Sequence, residues 1–116
     1  MPSTQADEIY LANFPFGDAA GMKLRPVLSL TGTLGTVPEV LVAYISSVVP
    51  AQILATDVLL DPTNPEHTPT KLKSYSVLRL HKLATIHESS IVRRLGKLSP
   101  TTASEVDKIL RDLLEL

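Results

Sequence analysis

Short apolar-rich segments recur along the sequence, several with apolar and polar residues in alternation and one, residues 40–47, nearly continuously apolar, and this pattern limits the chain to a mainly β fold. Successive side chains of a strand point to opposite faces, so a period of two indicates a half-buried strand. Proline, glycine and polar residues interrupt the alternation repeatedly, which is typical of short strands joined by turns. The pattern predicts six strands, at residues 8–14, 25–31, 40–47, 53–60, 76–86 and 91–98, with an exposed loop at 15–21.

The C-terminal segment follows a different period. Ser99 and Pro100 are typical of an N-cap followed by proline in the first helical turn, and Thr102 with Glu105 offers a capping box as an alternative start. Apolar residues then recur at helical spacing to the end of the sequence. Six short strands and one helix predict a small, mostly antiparallel barrel capped by a helix. The length of 116 residues suits one domain, which we expect over residues 1–116.

The composition excludes several kinds of chemistry. The sequence has no Cys, which excludes disulfides, thiolate catalysis and cysteine zinc sites. His67, His81 and His87 have no recognised ligand spacing, so neither a metal site nor a cofactor is predicted. The first residues lack the basic and apolar regions of a signal peptide, and no stretch approaches the roughly 20 apolar residues of a membrane span. We therefore expect a cytoplasmic protein that does not associate with membranes.

Charge is distributed unevenly along the chain. The formal net charge is −1, but residues 70–99 contain seven basic residues and one acid, a net charge of +6. Such a segment predicts a basic surface that attracts an anionic polymer. A solvated polar face explains the same charges without any partner.

Arg79 and His81 are separated by one leucine in the alternating segment 76–86, so they are predicted to share one strand face, about 7 Å apart. A permanent cation beside an imidazole, which titrates near neutral pH, suits phosphoryl chemistry without a metal. Two polar residues on the solvent side of a half-exposed sheet are the alternative, and alternation by itself favours it.

Five segments of the sequence, in order, resemble the MazF/PemK family of toxins from type II toxin–antitoxin systems, and its PemK-like branch in particular. They read DEIYLANFPFGD, KLRPVLSL, AYISS, SVLRLHKLATI and IVRRLGKLSP. The resemblance implies a small SH3-like antiparallel barrel of the MazF/PemK/CcdB kind that forms a homodimer. It also implies a metal-independent mRNA interferase, an endoribonuclease that cleaves single-stranded RNA at specific sequences, and a cognate antitoxin that inactivates it.

The resemblance also implies which residues form the active site. Arg25, in the Arg-Pro strand, and Arg79 correspond to arginines of the family's site, and a guanidinium matches phosphate oxygens. Ser46 aligns with a threonine of that site, and a hydroxyl can position a phosphate. His81 stands where the best-known members have an acid, and it can serve as general acid or base.

The expected RNA-binding residues are Ser47, Lys73 and Lys82. Ser47 is also explained as a small polar residue that ends a strand. An acidic, amphipathic segment of an antitoxin would complement the basic segment 70–99.

Two alternatives to catalysis remain. The same fold includes toxins that poison DNA gyrase by protein binding, for which the C-terminal helix is essential. A homologue that binds antitoxin without cleaving RNA is the second.

Overall fold

The computed structural model describes residues 4–14 and 23–116, which form one antiparallel sheet and a C-terminal helix. The strands are β1 (Glu8–Phe14), β2 (Lys23–Ser29), β3 (Glu39–Ser46), β4 (Asp57–Leu60), β5 (Ser76–His87) and β6 (Ile91–Lys97), followed by α1 (Pro100–Leu113). Their order in the sheet is β4-β5-β3-β2-β1-β6. The predicted class of fold is confirmed, although β4 and β6 are the edges of the described sheet and do not close it. The loop predicted at 15–21 lies outside the described residues.

Each face of the sheet has its own apolar cluster. The first, which we call the helix face, packs against α1, and its buried residues are Ile9, Leu28, Ala43, Ile45, Val58, Leu60, Leu78, Leu80, Leu98 and Val106. The second, which we call the far face, is buried at Tyr10, Ala12, Val27, Val40, Val42, Ile86 and Ile91. Because β3 is central, it contributes to both clusters through alternate residues. Towards the end of β3 the far face becomes half-buried, at Tyr44 and Ser46.

The predicted strand at 53–60 is partly wrong, because only Asp57–Leu60 pairs with β5. Before it the chain turns, and the amide of Asp57 donates to the carbonyl of Leu54 at 3.0 Å. The predicted loop before β5 contains a 3₁₀ helix at Pro65–Thr70, whose N-cap is Asn64. Proline near the start of that helix costs no hydrogen bond, because the first amides of a helix have no carbonyl partner.

Ser99 is the N-cap of α1, as predicted. Its hydroxyl accepts from the amide of Thr102 at 3.2 Å, so the later capping box is not used. Pro100 occupies the first turn, where a missing amide leaves no gap in the hydrogen bonding. None of the helices in the described part of the chain has the length and apolar character to cross a membrane.

Gly96 allows the 3₁₀ helix to pack directly on β6. A Cβ at this position would lie 2.6 Å from the carbonyl carbon of Thr70 and would also overlap the carbonyl oxygen of Pro69. Both atoms belong to the backbone, so no rotamer change can relieve the overlap. The close approach fixes the loop before β5 against the edge of the sheet.

We predict that Gly96→Ala destabilises the fold by about 1–3 kcal/mol, the usual range for overpacking against a rigid neighbour. The measurement is the denaturation midpoint, with Val92→Ala as the control because Val92 is an exposed residue of the same strand. A Gly96→Ala protein as stable as the control would show that the two segments do not touch.

A cleft of about 420 Å³ separates the start of β1 from α1, and it brings Asp7 towards Asp107. Partial desolvation in the cleft raises the pKa of Asp7, although much of the residue remains solvent-accessible, and the charge of Asp107 raises it further. Asp7 has a φ of 65°, a conformation that asparagine also adopts.

We predict that Asp7→Asn stabilises the protein at neutral pH. A raised pKa means that the folded state binds more protons than the unfolded state, so stability falls as pH rises from about 3.9 through the raised value. The gain should therefore be present at about pH 7 and vanish near pH 3.5. Urea midpoints at both pH values measure it, with Glu105→Gln on the exposed side of α1 as the control. If Asp7→Asn is no more stable than wild type at neutral pH, the prediction is wrong.

Candidate functional site

An ion pair between Arg79 and Asp57 joins β5 to β4. The two residues are directly opposite each other in the antiparallel ladder. Nε of Arg79 donates to Oδ1 of Asp57 at 3.0 Å, and Nη2 donates to Oδ2 at 3.5 Å. The Asp57 side chain is fully buried, whereas 16% of the Arg79 side chain is exposed. This two-point contact leaves Nη1 of Arg79 without a hydrogen bond among the described residues.

Asp57 also closes the turn that precedes β4. Its Oδ2 accepts from the amide of Leu54 at 2.9 Å. A buried carboxylate costs roughly several kcal/mol unless it is paired and hydrogen-bonded. The guanidinium and the backbone amide together satisfy it, so the carboxylate has a fixed position beneath Arg79.

His81 lies beside the same carboxylate. Its Nδ1 is 3.0 Å from the hydroxyl oxygen of Thr56 and 3.9 Å from Oδ1 of Asp57. The side chain is 29% exposed. Because Thr56 occupies Nδ1, the other ring nitrogen, Nε2, is the one available for exchanging a proton with a ligand.

The pairing of β5 with both of its neighbours produces this arrangement. On one side, the pairing with β3 shifts from Tyr44 opposite Arg79 to Ala43 opposite Leu83, so residues 80–82 have no partner in the β3 ladder. On the other side, the amide of Leu80 donates to the carbonyl of Thr56 at 2.9 Å, which continues the register of the β4 ladder. The strand is therefore attached to the turn before β4 at the residue between Arg79 and His81.

Tyr44 and Lys82 are on the same side of the sheet as Arg79. Tyr44 pairs with Val27 of β2 and with Arg79 of β5, which places it between the two strands on the far face. The Nζ atom of Lys82 lies 5.7 Å from the centroid of the Tyr44 ring, within the range of a cation–π interaction. Lys82 is exposed, so its charge is accessible to a ligand bound at Arg79.

Arg25 also belongs to the far face. It pairs with Ala12 of β1, which is part of the far-face cluster together with Val27. Its Nε atom is buried and makes no hydrogen bond within the described residues. Since β2 and β5 both border β3, the two strands are two spacings apart, about 10 Å. Arg25 is also displaced along β2, because Val27, two residues later, is the one in the row of Tyr44 and Arg79.

Ser46 is two residues after Tyr44, on the same face of β3. Its hydroxyl donates to the carbonyl of Val48 and accepts from the amide of Val48, both at 3.1 Å. The hydroxyl therefore closes a local turn at the end of the strand.

Ser47 and Lys73 lie elsewhere. They line a cavity of about 280 Å³ together with Leu11 and Pro26, whose side chains alternate with those of the far face. Lys71 and Arg93 line the same cavity, and it shares Lys71 with a neighbouring cavity of about 370 Å³ that includes Arg94 and Lys97. The structure thus divides the sequence-predicted residues between two surfaces. We call the second surface the basic groove, formed by Lys71, Lys73, Arg93 and Lys97. Arg94 borders it, but its Nε donates to Oε2 of Glu8 at 2.7 Å, so its charge is paired.

Sequence reasoning missed Thr56 and Asp57. Segment 53–60 was predicted as an ordinary strand, and only Asp57 could have indicated otherwise. An acid next to the apolar run Val58-Leu59-Leu60 needs a partner if that strand is buried. The sequence does not identify the partner, because Arg79 is far along the chain. Among the described residues, no group of three or more His, Cys, Asp and Glu is positioned to hold a metal ion.

The fold and the site define the class of protein. The structure is similar to the Mycobacterium tuberculosis toxin MazF-mt6, with a TM-score of 0.70 and 26% sequence identity over 94% of this chain and 97% of that chain. The sequence also matches the model of the PemK-like, MazF-like toxins of type II toxin–antitoxin systems over residues 5–114. The chain belongs to this family.

Two further solved structures share the fold. An endoribonuclease from mycobacterial species has a TM-score of 0.70 and 17% identity, over all of this chain and 95% of that one. An endoribonuclease in complex with its cognate antitoxin, also mycobacterial, has a TM-score of 0.69 and 17% identity, over 97% and 96%. Among proteins of curated function, none matches the sequence.

Proposed function

We propose that this toxin is a single-domain, metal-independent endoribonuclease that cleaves single-stranded RNA at specific sequences. The observation that carries the proposal is the pair of Arg79 and His81, both held against Asp57 on a partly exposed face. A fixed guanidinium beside an accessible imidazole can bind a phosphate and transfer a proton at one place. Membership of the toxin family and the endoribonucleases of the same fold support it.

The reaction would be an internal displacement at phosphorus. The ribose 2′-oxygen attacks the adjacent phosphate, loses its proton to a base, and forms a bond to phosphorus. The bond from phosphorus to the 5′-oxygen breaks, and an acid donates a proton to that oxygen. The products are a 2′,3′-cyclic phosphate and a 5′-hydroxyl.

Arg79 would stabilise the charge that builds on the phosphate oxygens. Its Nε and Nη2 are engaged with Asp57, so Nη1 is the edge that binds the phosphate. Arg25 would contribute a second guanidinium from β2, across the central strand. Ser46 would position the phosphate. Its hydroxyl now donates to the carbonyl of Val48, and it would have to give up that hydrogen bond in order to donate to a phosphate oxygen.

His81 would transfer a proton through Nε2. As the acid, the ring is an imidazolium, in which Nδ1 donates to the Thr56 hydroxyl and Nε2 gives its proton to the 5′-oxygen. As the base, the ring is neutral with its proton on Nδ1, which donates to the same hydroxyl, and Nε2 accepts the proton of the 2′-hydroxyl. The 3.0 Å contact fits both forms, so the assignment of acid and base stays open.

We predict that the purified protein cleaves single-stranded RNA in EDTA and leaves cyclic phosphate ends. Arg79→Lys should lower kcat by about 100- to 1,000-fold, because lysine keeps the charge but not the two-point contact. His81→Gln should have a similar effect. Arg111→Lys on α1 and His87→Gln are the matched controls and should keep full activity. Gel analysis measures the cleavage rate and end-group mapping identifies the cyclic phosphate. Intact RNA in wild-type reactions would refute the proposal.

RNA binding is proposed for both surfaces, which would contact nucleotides at different distances from the cleaved phosphate. Lys82 is beside Arg79 on the far face, so it would contact the nucleotides next to the cleaved phosphate. Lys73 and Ser47 line the basic groove with Lys71 and Arg93 and would contact the strand further from the cut. Contacts to phosphate release counterions, and each one adds about 0.7 to the slope of log affinity against log salt for a single strand.

We predict that Lys82→Gln weakens binding of short and long RNA alike, whereas Lys73→Gln weakens only RNA long enough to reach the groove. Each substitution should lower the salt slope by about 0.7. Fluorescence anisotropy on an inactive His81→Gln background measures affinity, with Lys108→Gln on α1 as the control. Equal loss of short-RNA affinity in both variants would contradict the assignment to two surfaces.

A second candidate function rests on the end of α1. Leu113, Leu114 and Leu116 are 37%, 54% and 83% exposed. Exposed leucines at a helix end suit insertion into a protein target, as a gyrase-poison type of toxin requires. Loss of toxicity on truncation after Arg111, with toxicity retained in Arg79→Lys, would favour this function over RNA cleavage.

The partners proposed for this toxin are a second copy of the chain, in a homodimer, and a cognate antitoxin. An acidic, amphipathic antitoxin segment would match the charge of the basic groove, and the antitoxin-bound endoribonuclease of the same fold supports such a partner. The site of action proposed is the cytoplasm, where mRNA is available.

A further inference from the structure

Thr56 and Asp57 contact both of the side chains to which the proposed reaction is assigned. Asp57 holds Arg79 and Thr56 holds His81, from the turn that leads into β4. We propose that these two residues are a positioning pair, which fixes the guanidinium and the imidazole in the geometry needed for reaction. The proposal rests on the proposed ribonuclease function and adds residues that do not themselves touch RNA.

The position of Asp57 is determined independently of any ligand. Its backbone pairs with β5, its amide donates to the carbonyl of Leu54, and its carboxylate accepts from the amide of Leu54. The side chain is fully buried, so it does not contact bound RNA directly. Arginine is long and flexible, and a fixed carboxylate behind Nε and Nη2 removes that freedom before substrate binds. Nη1 is then presented in one direction.

The charge of Asp57 argues against a role in binding. A carboxylate beside Arg79 reduces the positive potential that attracts RNA, so a surface selected only for affinity would not contain it. Orientation is the benefit that offsets this loss. The expected signature is therefore a separation of the two kinetic constants, in which removing the charge lowers kcat while KM stays the same or falls.

The main chain of Thr56 is fixed as well. Its carbonyl accepts from the amide of Leu80, the residue between Arg79 and His81. Its hydroxyl, 3.0 Å from Nδ1, therefore acts from a rigid backbone and sets both the orientation of the ring and the nitrogen that faces outward. By accepting from Nδ1–H, the hydroxyl keeps the Nδ1 proton in place both before and after proton transfer at Nε2.

A purely structural ion pair is the competing explanation. In that case Asp57 would stabilise the contact between β4 and β5, and its removal would lower stability without a specific effect on turnover. Removal of one partner from a buried pair does destabilise proteins, so activity must be compared among variants shown to be folded.

The experiment uses the full chain and a fluorescent single-stranded RNA, with kcat and KM measured separately. Asp57→Asn should lower kcat by about 10- to 100-fold without raising KM. Thr56→Val should lower kcat to a similar extent, and Thr56→Ser should restore it because serine keeps the hydroxyl. Asp61→Asn, at a half-buried acid beyond the other end of β4, should behave like wild type because the asparagine oxygen can still accept from Thr63.

Side-chain NMR provides a reading that does not depend on activity. In the wild type the Nε–H signal of Arg79 should be dispersed and slow to exchange with water, and in Asp57→Asn it should move to the position of a free arginine. If Asp57→Asn does not fold, the Thr56→Val and Thr56→Ser pair decides the question by kcat.

The outcomes separate the two proposals. A folded Asp57→Asn or Thr56→Val protein with wild-type kcat would overturn the positioning role while leaving the ribonuclease intact. A wild-type protein without ribonuclease activity would refute the proposed function. The Arg79 signal would then still show whether Asp57 fixes the guanidinium.

Discussion

The pairing of β5 with both β3 and β4 is the interaction on which the candidate site depends. β5 pairs with β3 on both sides of a shift at Ala43 and Tyr44. On its other side β5 pairs with β4, and the amide of Leu80 extends that pairing by donating to the carbonyl of Thr56. A buried amide needs a partner, and the turn before β4 supplies it. The same bond brings the start of β4 beneath Arg79.

A buried acid beside an arginine combines two opposing requirements. A toxin that binds RNA benefits from positive charge, whereas a guanidinium that stabilises a transition state benefits from a fixed orientation. Asp57 lowers the positive charge and supplies the fixed orientation. In the proposed ribonuclease these tasks are separated in space, because the basic groove lies on the side of Leu11 and Pro26, away from the far face on which Arg79 lies. Affinity and orientation can therefore be provided by different residues.

Local patterns in the sequence predicted most of the fold. Alternation and short apolar runs located the strands, and the serine before Pro100 correctly predicted the start of α1. The segment before β4 was the exception. Its apolar residues suggested a strand, but hydrogen bonds between Leu54 and Asp57 fold it into a turn. Periodicity cannot distinguish the two, because it records which residues are apolar and not where their amides donate.

The sequence by itself selected the candidate site residues, and the tertiary structure decided which of them meet. The alternation in β5 and the resemblance to the toxin family were enough to select Arg79 and His81. Only the fold shows that Asp57 lies between them, and that Lys73 and Lys82 belong to different surfaces. The physical reason is that side-chain alternation is local, whereas contacts between strands depend on register. A register shift changes which residues of two strands are opposite each other, but the sequence of apolar and polar residues within each strand stays the same.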